Sequence, residues 1–513
     1  MSQTIYDAFD VEYRIEYLGI KVHPEWKRNI RRWQYYSDSY NGGNEYRAGQ
    51  YLIKYILESG DDYENRIRQT ALDNHCKGVI ETYNSFLFRV PPKREYGAIG
   101  QDPAIDAFFD DCDLDGRSFN AFMRDVSTYS SIYGHIWVMI DKPDTMVATR
   151  ADELRQQIRP YVSMITPENV LDWSYERQPN GVYQLQEITL LDGMDENGAY
   201  FRTIDKEFIT IKRKISADED AQILSQIPNK IGVVPCIPVY AGRTMTRGVG
   251  CSDLSDIADV QRNIYNQLSE LEQLIRISNH PSLVKTSTTQ AAAGAGAVID
   301  LPDDLDPNLK PFLLEPNGSG ITQIISAMQE NVASINRMAN VGGVRATATR
   351  EMSGVALQTE FQLLNARLSQ KADLLELAEE QIWRMWALWQ NRVWDGMVDY
   401  PDSFNVHDRE NTITMLKLAK ETKPENPKLL EEIDIMLAKA LITDEDKLAE
   451  IMDGQQQAPA LQTEMVHKAM TNPTELVEHM KEMIEQGYTT QQILELHPEL
   501  AGYFNREGDD NDA

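Results

Sequence analysis

The alternation of hydrophobic and polar positions is most informative over residues 342–394, where a short polar stretch, GGVRATATREMSG, runs into a long amphipathic segment. No proline falls between 353 and 394, and the one glycine there, Gly354, sits in the first turn. Leu357, Phe361, Leu364, Leu368, Leu375, Ile382, Trp386, Trp389 and Val393 recur three, four or seven residues apart, which is helical spacing. At 1.5 Å per residue the pattern predicts a rod of roughly 60 Å, longer than most globular helices. A flexible loop set on such a rod suits machinery that holds a loop at a chosen point in a large assembly. An ordinary catalytic pocket needs no such support.

The rest of the pattern predicts an α+β chain that is predominantly α-helical. Residues 1–100 read as helical: HPEWKRNIRRWQYYSDSY and the segment 63–88 both have amphipathic spacing, and Pro91 with Pro92 stops the second. Residues 101–159 are mixed, with an acidic turn, a helix opening near Ser118 and the apolar strand HIWVMID. Residues 160–245 are β-rich, with strand-like runs such as YQLQEITLL and YFRTIDKEFITIKR punctuated by Asn-Gly and proline. Ser252 and Asp253 read as the N-cap of a helix over 252–278, with Leu254, Ile257, Ile264, Leu268, Leu271 and Ile275 along one stripe. Residues 279–320 carry Ala-Gly repeats and Pro281, Pro302, Pro307, Pro311 and Pro316, which predicts a small non-helical module. A further helix follows over 321–340, with Ile324, Met328, Val332 and Ile335 on one face. Beyond 394, prolines at 401, 424, 427, 459, 473 and 498 separate short helices. The order is helix, compact excursion, helix, loop at 341–353, long helix at 354–394. The two helices flanking the excursion are expected to be antiparallel neighbours, a stalk with a cap.

Composition narrows the function. The 513 residues, 42% of them hydrophobic, suffice for several packing units. Eighty acidic against 50 basic residues give a formal charge of −30, which argues against a static nucleic-acid binder and not against a protein past which nucleic acid slides. Part of the excess is the terminal run Glu507, Asp509, Asp510 and Asp512, read as a solvated tail. Cys76, Cys112, Cys236 and Cys251 form no CxxC pair, so a reducing compartment and no structural zinc are expected. The first residues, MSQTIYDAFDVEYRIEY, lack the basic and apolar regions of a signal peptide, and no run of 18 apolar residues predicts a membrane span.

Candidate chemistry is sparse. DCDLDG at 111–116 opens like a calcium loop, but the twelfth position, which should be Glu, is Phe122, so an acidic turn capping the helix after Ser118 is the better reading. GAGAV at 294–298 has neither a strand before it nor a helix after it, which speaks against dinucleotide binding. There is no GxxxxGK[ST], HExxH or GxSxG, and the eight histidines are scattered. No catalytic residue, metal or cofactor is expected. Tryptophans at 383, 386, 389 and 394 could form a base-stacking platform, yet Trp386 and Trp389 continue the apolar stripe and so read as packing or subunit interface.

DLDGRSFNAFMRDVSTYSSIYGHIWVMIDKP at 113–143, IGVVPCIPVYAG at 231–242, SDLSDIADVQRNIYNQLSELEQL at 252–274 and REMSGVALQTEFQLL at 350–364 together resemble the portal proteins of tailed bacteriophages. With the segment order, the likeness covers roughly residues 100–395. It implies a wing at 1–251, stem helices at 252–278 and 321–340, a clip at 279–320 and a tunnel loop at 341–353 facing DNA. The long helix at 354–394 would back that loop, and 395–513 would form a helical crown. It further implies a dodecameric ring at the capsid vertex of the virion, assembled in the host cytoplasm, through which double-stranded viral DNA passes non-specifically. The implied partners are the terminase large subunit, the head-to-tail adaptor, and the major capsid and scaffold proteins, with no membrane and no enzymatic activity of its own.

On that resemblance the loop residues of interest are Gly342, Gly343, Val344, Arg345, Ala346, Thr347, Thr349 and Arg350. The core or interface set on the long helix is Leu357, Phe361, Leu364, Leu368, Trp386 and Trp389. An acidic channel wall would repel phosphates and keep DNA from adhering. Arg345 and Arg350 would then touch phosphate transiently or pair with acidic residues of neighbouring subunits. Gly342 and Gly343 would permit loop movement or serve as a helix C-cap. A helical scaffold or adaptor without a channel is the alternative; it explains the helices and the acidity but not the segment order. An uncharacterised enzyme is a second alternative, and it lacks a recognisable constellation.

Overall fold

The computed structural model describes residues 8–143, 150–156, 158–195, 198–279, 282–284, 306, 312–314, 319–345, 354–402, 404, 416–420 and 427–441. Two compact units divide the chain at 405/406.

The first unit opens with helices α1 (Ala8–Tyr17), α2 (Pro24–Asn41), α3 (Gly43–Ala48), α4 (Gly60–Gln69) and α5 (His75–Leu87). The His23 ring caps α2 by accepting from the Glu25 amide at 3.2 Å, and Pro24 occupies the first turn, where its missing N–H costs nothing. Trp26, Ile30 and Trp33 turn one face of α2 into the core. The helix expected over 63–88 is two helices. The Thr70 hydroxyl bonds the Arg66 carbonyl and its backbone turns extended, and Asn74 then caps α5 by accepting from the Lys77 amide.

After strand β1 (Lys93–Glu95) come α6 (Ala104–Asp110) and α7 (Phe119–Tyr133). Ser118 caps α7 as the sequence suggests, accepting from the Ala121 amide at 3.4 Å. In the preceding acidic turn Asp111 and Asp113 accept backbone amides of residues 115–117. Among the described residues no cluster of three His, Cys, Asp or Glu could hold a metal. Gly134 ends α7 with φ 88°, and a Cβ there would lie 2.7 Å from the backbone of Gly250 and Cys251. Two segments over a hundred residues apart cross at that point, and only glycine fits.

Strand β2 (His135–Asp141), α8 (Arg150–Arg155), β3 (Tyr161–Ile165), β4 (Val170–Arg177), β5 (Tyr183–Asp195), β6 (Gly198–Ile204), β7 (Phe208–Lys214), β8 (Gln222–Pro228) and β9 (Cys236–Tyr240) follow. β2 is the centre of an antiparallel three-stranded sheet, β3-β2-β9, in which His135 faces Tyr240 and Trp137 faces Ile165. Buried along nearly its whole length, β2 reads as a continuous apolar run, as a strand covered on both faces must. The remaining strands form an antiparallel meander, β4-β5-β6-β7-β8, one sequence hairpin after another.

Helix α9 (Ile257–Asn279), strands β10 (Ser282–Val284) and β11 (Phe312–Leu314), α10 (Ser319–Met338), α11 (Gly342–Arg345), α12 (Gly354–Trp389) and β12 (Met397–Asp399) complete the first unit. α9 and α10 pack together in antiparallel sense, since Gln267 bonds Asn331 while Leu274 lies beside Gly320. β10 and β11 pair antiparallel just past α9 and just before α10. β12 pairs with β1, so residues 397–399 belong to the first unit rather than to a C-terminal body. In the second unit, α13 (Pro427–Leu441) is described. GAGAV and the acidic terminal run lie outside the described residues.

Three helix limits differ from expectation. α9 starts at Ile257, not 252, because Ser252 and Asp253 bond the end of α7 instead. Ser252 Oγ donates to the Ile132 carbonyl at 2.5 Å, and the Asp253 amide donates to the Ser131 carbonyl at 3.1 Å. α12 stops at Trp389, not 394, at Asn391 in the left-handed region (φ 53°), with the Arg392 amide reaching back to the Ala387 carbonyl. α10 ends at Met338, not 340, in the same way, with Asn340 left-handed (φ 56°) and the Val341 amide on the Asn336 carbonyl. Asparagine here does the work usually given to glycine.

One buried carboxyl makes the fold pH-sensitive. Glu168, in the turn before β4, is buried, with Oε2 3.3 Å from the Tyr133 hydroxyl. Burial pushes its pKa up to about 7, with the nearby Asp38 carboxylate adding to the rise. The folded chain therefore keeps this proton between the ordinary 4.5 and about 7, while the unfolded chain releases it. The associated stability, of order 3 kcal/mol, is full below pH 4.5 and is lost as pH rises through 7. Urea melts at pH 5.5 and 8 are expected to show this loss in the wild type, whereas Glu168→Gln, neutral at both, should lose markedly less.

Candidate functional site

Helix α12 is the element on which the first unit closes. Leu364, Leu368, Leu375, Ile382, Trp383 and Trp386 are all buried in the core, and Trp389 is nearly so, with its indole N–H on the Ile140 carbonyl of β2 at 2.9 Å. Phe361 is half-buried. Trp383 packs edge-on to Trp386 and stacks on Trp394. The tryptophans are therefore packing inside one chain, with no face presented for base stacking at Trp383 or Trp386.

Two charged residues interrupt this apolar face, and each has been given a partner. Lys371 Nζ sits 2.5 Å from Asp253 Oδ2 and 2.9 Å from Ser131 Oγ, with 7% and 8% of the lysine and aspartate side chains exposed. Arg367, one turn earlier, bonds Asp253 Oδ1 at 3.2 Å and the Met338 carbonyl at the end of α10 at 3.2 Å. The Tyr83 hydroxyl of α5 donates to the Ala339 carbonyl at 2.6 Å, and its ring lies beneath both cations. Burial raises the Tyr83 pKa, so it remains a neutral donor. Asp253 thus ties together the end of α7, the entry to α9, the exit of α10 and the middle of α12. The second residue, Glu379, is fully buried and accepts from Arg94, Trp383 and Tyr400, which fixes the β1–β12 ribbon against α12.

Residues 342–345 rise directly from this junction. Val341 is buried, α11 adds a single turn, and Val344 is exposed. Gly342 is not in the left-handed region. A Cβ at this position would meet only the Glu360 carboxylate of α12, at 2.4 Å, a flexible side-chain end that can move aside. The C-cap role belongs to Asn340 instead. The Gly343 backbone lies in α11. Ala346, Thr347, Thr349 and Arg350, and the side chains of Arg345 and Leu357, lie outside the described residues. The geometry brings both ends of the candidate loop, the last turn of α10 and the first half of α12, onto one buried ionic knot.

Sequence reasoning missed Asp253, Arg367, Lys371, Arg94 and Glu379 as functional supports. A signal was present: Lys371 and Glu379 fall on the apolar stripe of α12, where an unpaired charge would be costly.

The family model described as phage portal protein, SPP1 Gp6-like, matches residues 21–489. The chain belongs to this family of phage portal proteins, which are structural components of the virion. No curated protein matches the sequence. Among solved structures, a chain of the virion of a native gene transfer agent particle is similar, with 7% identity and a TM-score of 0.39 over 70% of this chain and 89% of that one. No helix among the described residues is long and apolar enough to cross a membrane.

Proposed function

We propose that this chain forms a closed ring of about twelve copies at the capsid vertex, the channel through which viral DNA enters and leaves. The observation that carries the reading is the family match over residues 21–489, which embraces the whole series of helix, excursion, helix, loop and long helix. In this reading residues 1–251 are the wing, α9 and α10 the stem, and 279–320 the clip offered to the terminase large subunit and later to the head-to-tail adaptor. Residues 341–353 are the tunnel loop beside DNA, with Arg345 and Arg350 its cations, and α12 is its backing. The crown inside the head, expected over 395–513, then begins after the first unit, at 406, next to scaffold and major capsid proteins. The chain holds and guides DNA and performs no chemistry on it.

The formal charge of −30 per chain supports passage rather than capture. Acidic walls repel phosphates, so a duplex slides without the counterion release that drives tight binding. The Asp253 knot gives the loop a rigid base, so that force on the loop passes to α10 and α12 together.

Native mass spectrometry and negative-stain imaging of the purified full chain test the ring. A closed particle of about twelve subunits with a central hole is expected. A species that stays monomeric or dimeric at micromolar concentration would sink the reading.

A further inference from the structure

The loop between α3 and α4 displays two aliphatic side chains wholly to solvent: Ile56 is 100% exposed and Leu57 98%. The loop is a built structure. Arg66, buried on α4, grips Glu58 through two bonds of 2.7 Å and takes the Ile53 carbonyl at 2.6 Å, with its guanidinium stacked 4.0 Å from the Tyr55 ring. The Ile53 amide is fixed to Asn266 of α9 at 2.8 Å, and the Tyr63 hydroxyl holds the Leu52 carbonyl at 2.6 Å. A buried ion pair with 3% and 8% side-chain exposure thus stiffens a turn whose tip is apolar. A chain that functioned alone would gain nothing from that arrangement.

Elsewhere on the same unit lies a groove of about 530 Å³ between the start of β5, the segment 243–247 and the second half of α12. Its rim carries Tyr183, Met245 and Arg247, with Met245 fully exposed and Leu185 and Cys236 deeper in. Arg247 lies 3.7 Å over the Tyr183 ring and Arg243 over Tyr240. Neither has a carboxylate partner among the described residues. The groove therefore mixes apolar side chains with polar ones such as Gln184, Thr246 and Gln381, and its edge is cationic. The helix that follows the knob exposes Asp61 and Asp62, while Glu64 pairs with Arg68 on the same helix and Lys54 is exposed just before the knob.

Knob and groove lie at opposite ends of α2. His23, capping its start, stacks on Trp173, whose indole donates to the Arg247 carbonyl. Asp38, near its end, accepts from Tyr51 beside the knob. An 18-residue helix spans about 27 Å, so the knob cannot reach its own groove. We infer that Ile56 and Leu57 of one copy seat in the Tyr183–Met245–Arg247 groove of the next. Two different patches at opposite ends of α2 make a head-to-tail contact, which propagates instead of stopping at a pair and gives a ring where its rotation closes. The inference deepens the ring reading and rests on it for the identity of the occupant.

Leu57→Cys with Met245→Cys, on a Cys251→Ser background that removes the one exposed native thiol, tests the contact in the full chain. Mild oxidation is expected to give a ladder of covalent oligomers reaching the ring, while either cysteine alone gives at most dimers. Ile56→Asp with Leu57→Asp, and separately Met245→Asp with Arg247→Glu, should each weaken assembly by about 100-fold or more at unchanged Tm. Mixing those two variants should restore one contact only and stop at dimers. Rings without a 57–245 cross-link, or rings from the knob variant as stable as the wild type, overturn the contact and leave the ring standing. Cross-linked open chains or dimers keep the contact and remove the ring, and a chain monomeric at every concentration overturns both. A knob variant that assembles normally but no longer binds another head protein gives the knob to that protein and overturns the contact between copies.

Discussion

Glu379→Ala is expected to cost the first unit about 3–5 kcal/mol, the range for removing one partner of a buried ion pair. The side chain has no exposure, and Arg94, which faces it, keeps 6%. Removing the carboxylate leaves the Arg94 guanidinium buried beside Phe109 and Phe119, with Asn120 and the Tyr400 oxygen, both neutral, as acceptors in place of a charged one. The same change orphans the Trp383 indole N–H and the Tyr400 hydroxyl. Burial, the largest cause of the raised Tyr400 pKa, remains in the variant, so that hydroxyl stays neutral and does not balance the Arg94 charge. Denaturant unfolding read by tryptophan fluorescence should show the midpoint fall. The loss should be largely recovered by also changing Arg94 to Met, because an apolar pair of similar volume avoids the unpaired charge. A loss under about 1 kcal/mol for the single variant would mean that water or a rearranged chain satisfies Arg94.

The same residue shows what the sequence could and could not disclose. The α12 stripe predicted the helix and its buried face, because a helix that long must bury one side regularly. Lys371 and Glu379 stand on that stripe and so announce buried partners, but the partners are 118 and 285 residues away, Asp253 and Arg94, and no local pattern names them. Helix ends failed for a local reason. Asn340 and Asn391 adopt left-handed angles that asparagine tolerates and other residues rarely do, yet asparagine is also an ordinary surface residue within helices. The early start predicted for α9 failed because Ser252 and Asp253, good caps for their own helix, bond the end of α7 instead. The β-rich block was legible from its turns, whereas the division into a three-stranded and a five-stranded sheet depends on β2, which comes from before the block. The exposed tip at Ile56 and Leu57 was hidden, since two apolar residues in sequence look the same inside a core or outside it.

Deleting residues 343–351 is expected to leave ring assembly intact and to reduce DNA-filled heads by an order of magnitude or more. The reason for intact assembly lies in the junction. The end of α10 is held by Tyr83 and Arg367, and α12 is held by Asp253 through Lys371, none of which the deletion touches. Neither the Ile56 and Leu57 knob nor the groove at Met245 and Arg247 lies in the deleted stretch. What disappears is the polar loop with both of its arginines, Arg345 and Arg350, between two helices that stay in place. Particle mass and symmetry, read beside the DNA content of heads assembled with the variant, separate the two roles. Rings of normal size with empty or leaking heads would assign the segment to DNA. Replacing only Arg345 and Arg350 by glutamine should reproduce the defect if transient phosphate contact is what the loop supplies. It should weaken the ring itself if those arginines pair with carboxylates of adjacent copies. A deletion variant that cannot assemble at all, though folded by its thermal melt, would move residues 343–351 from the channel to the subunit interface.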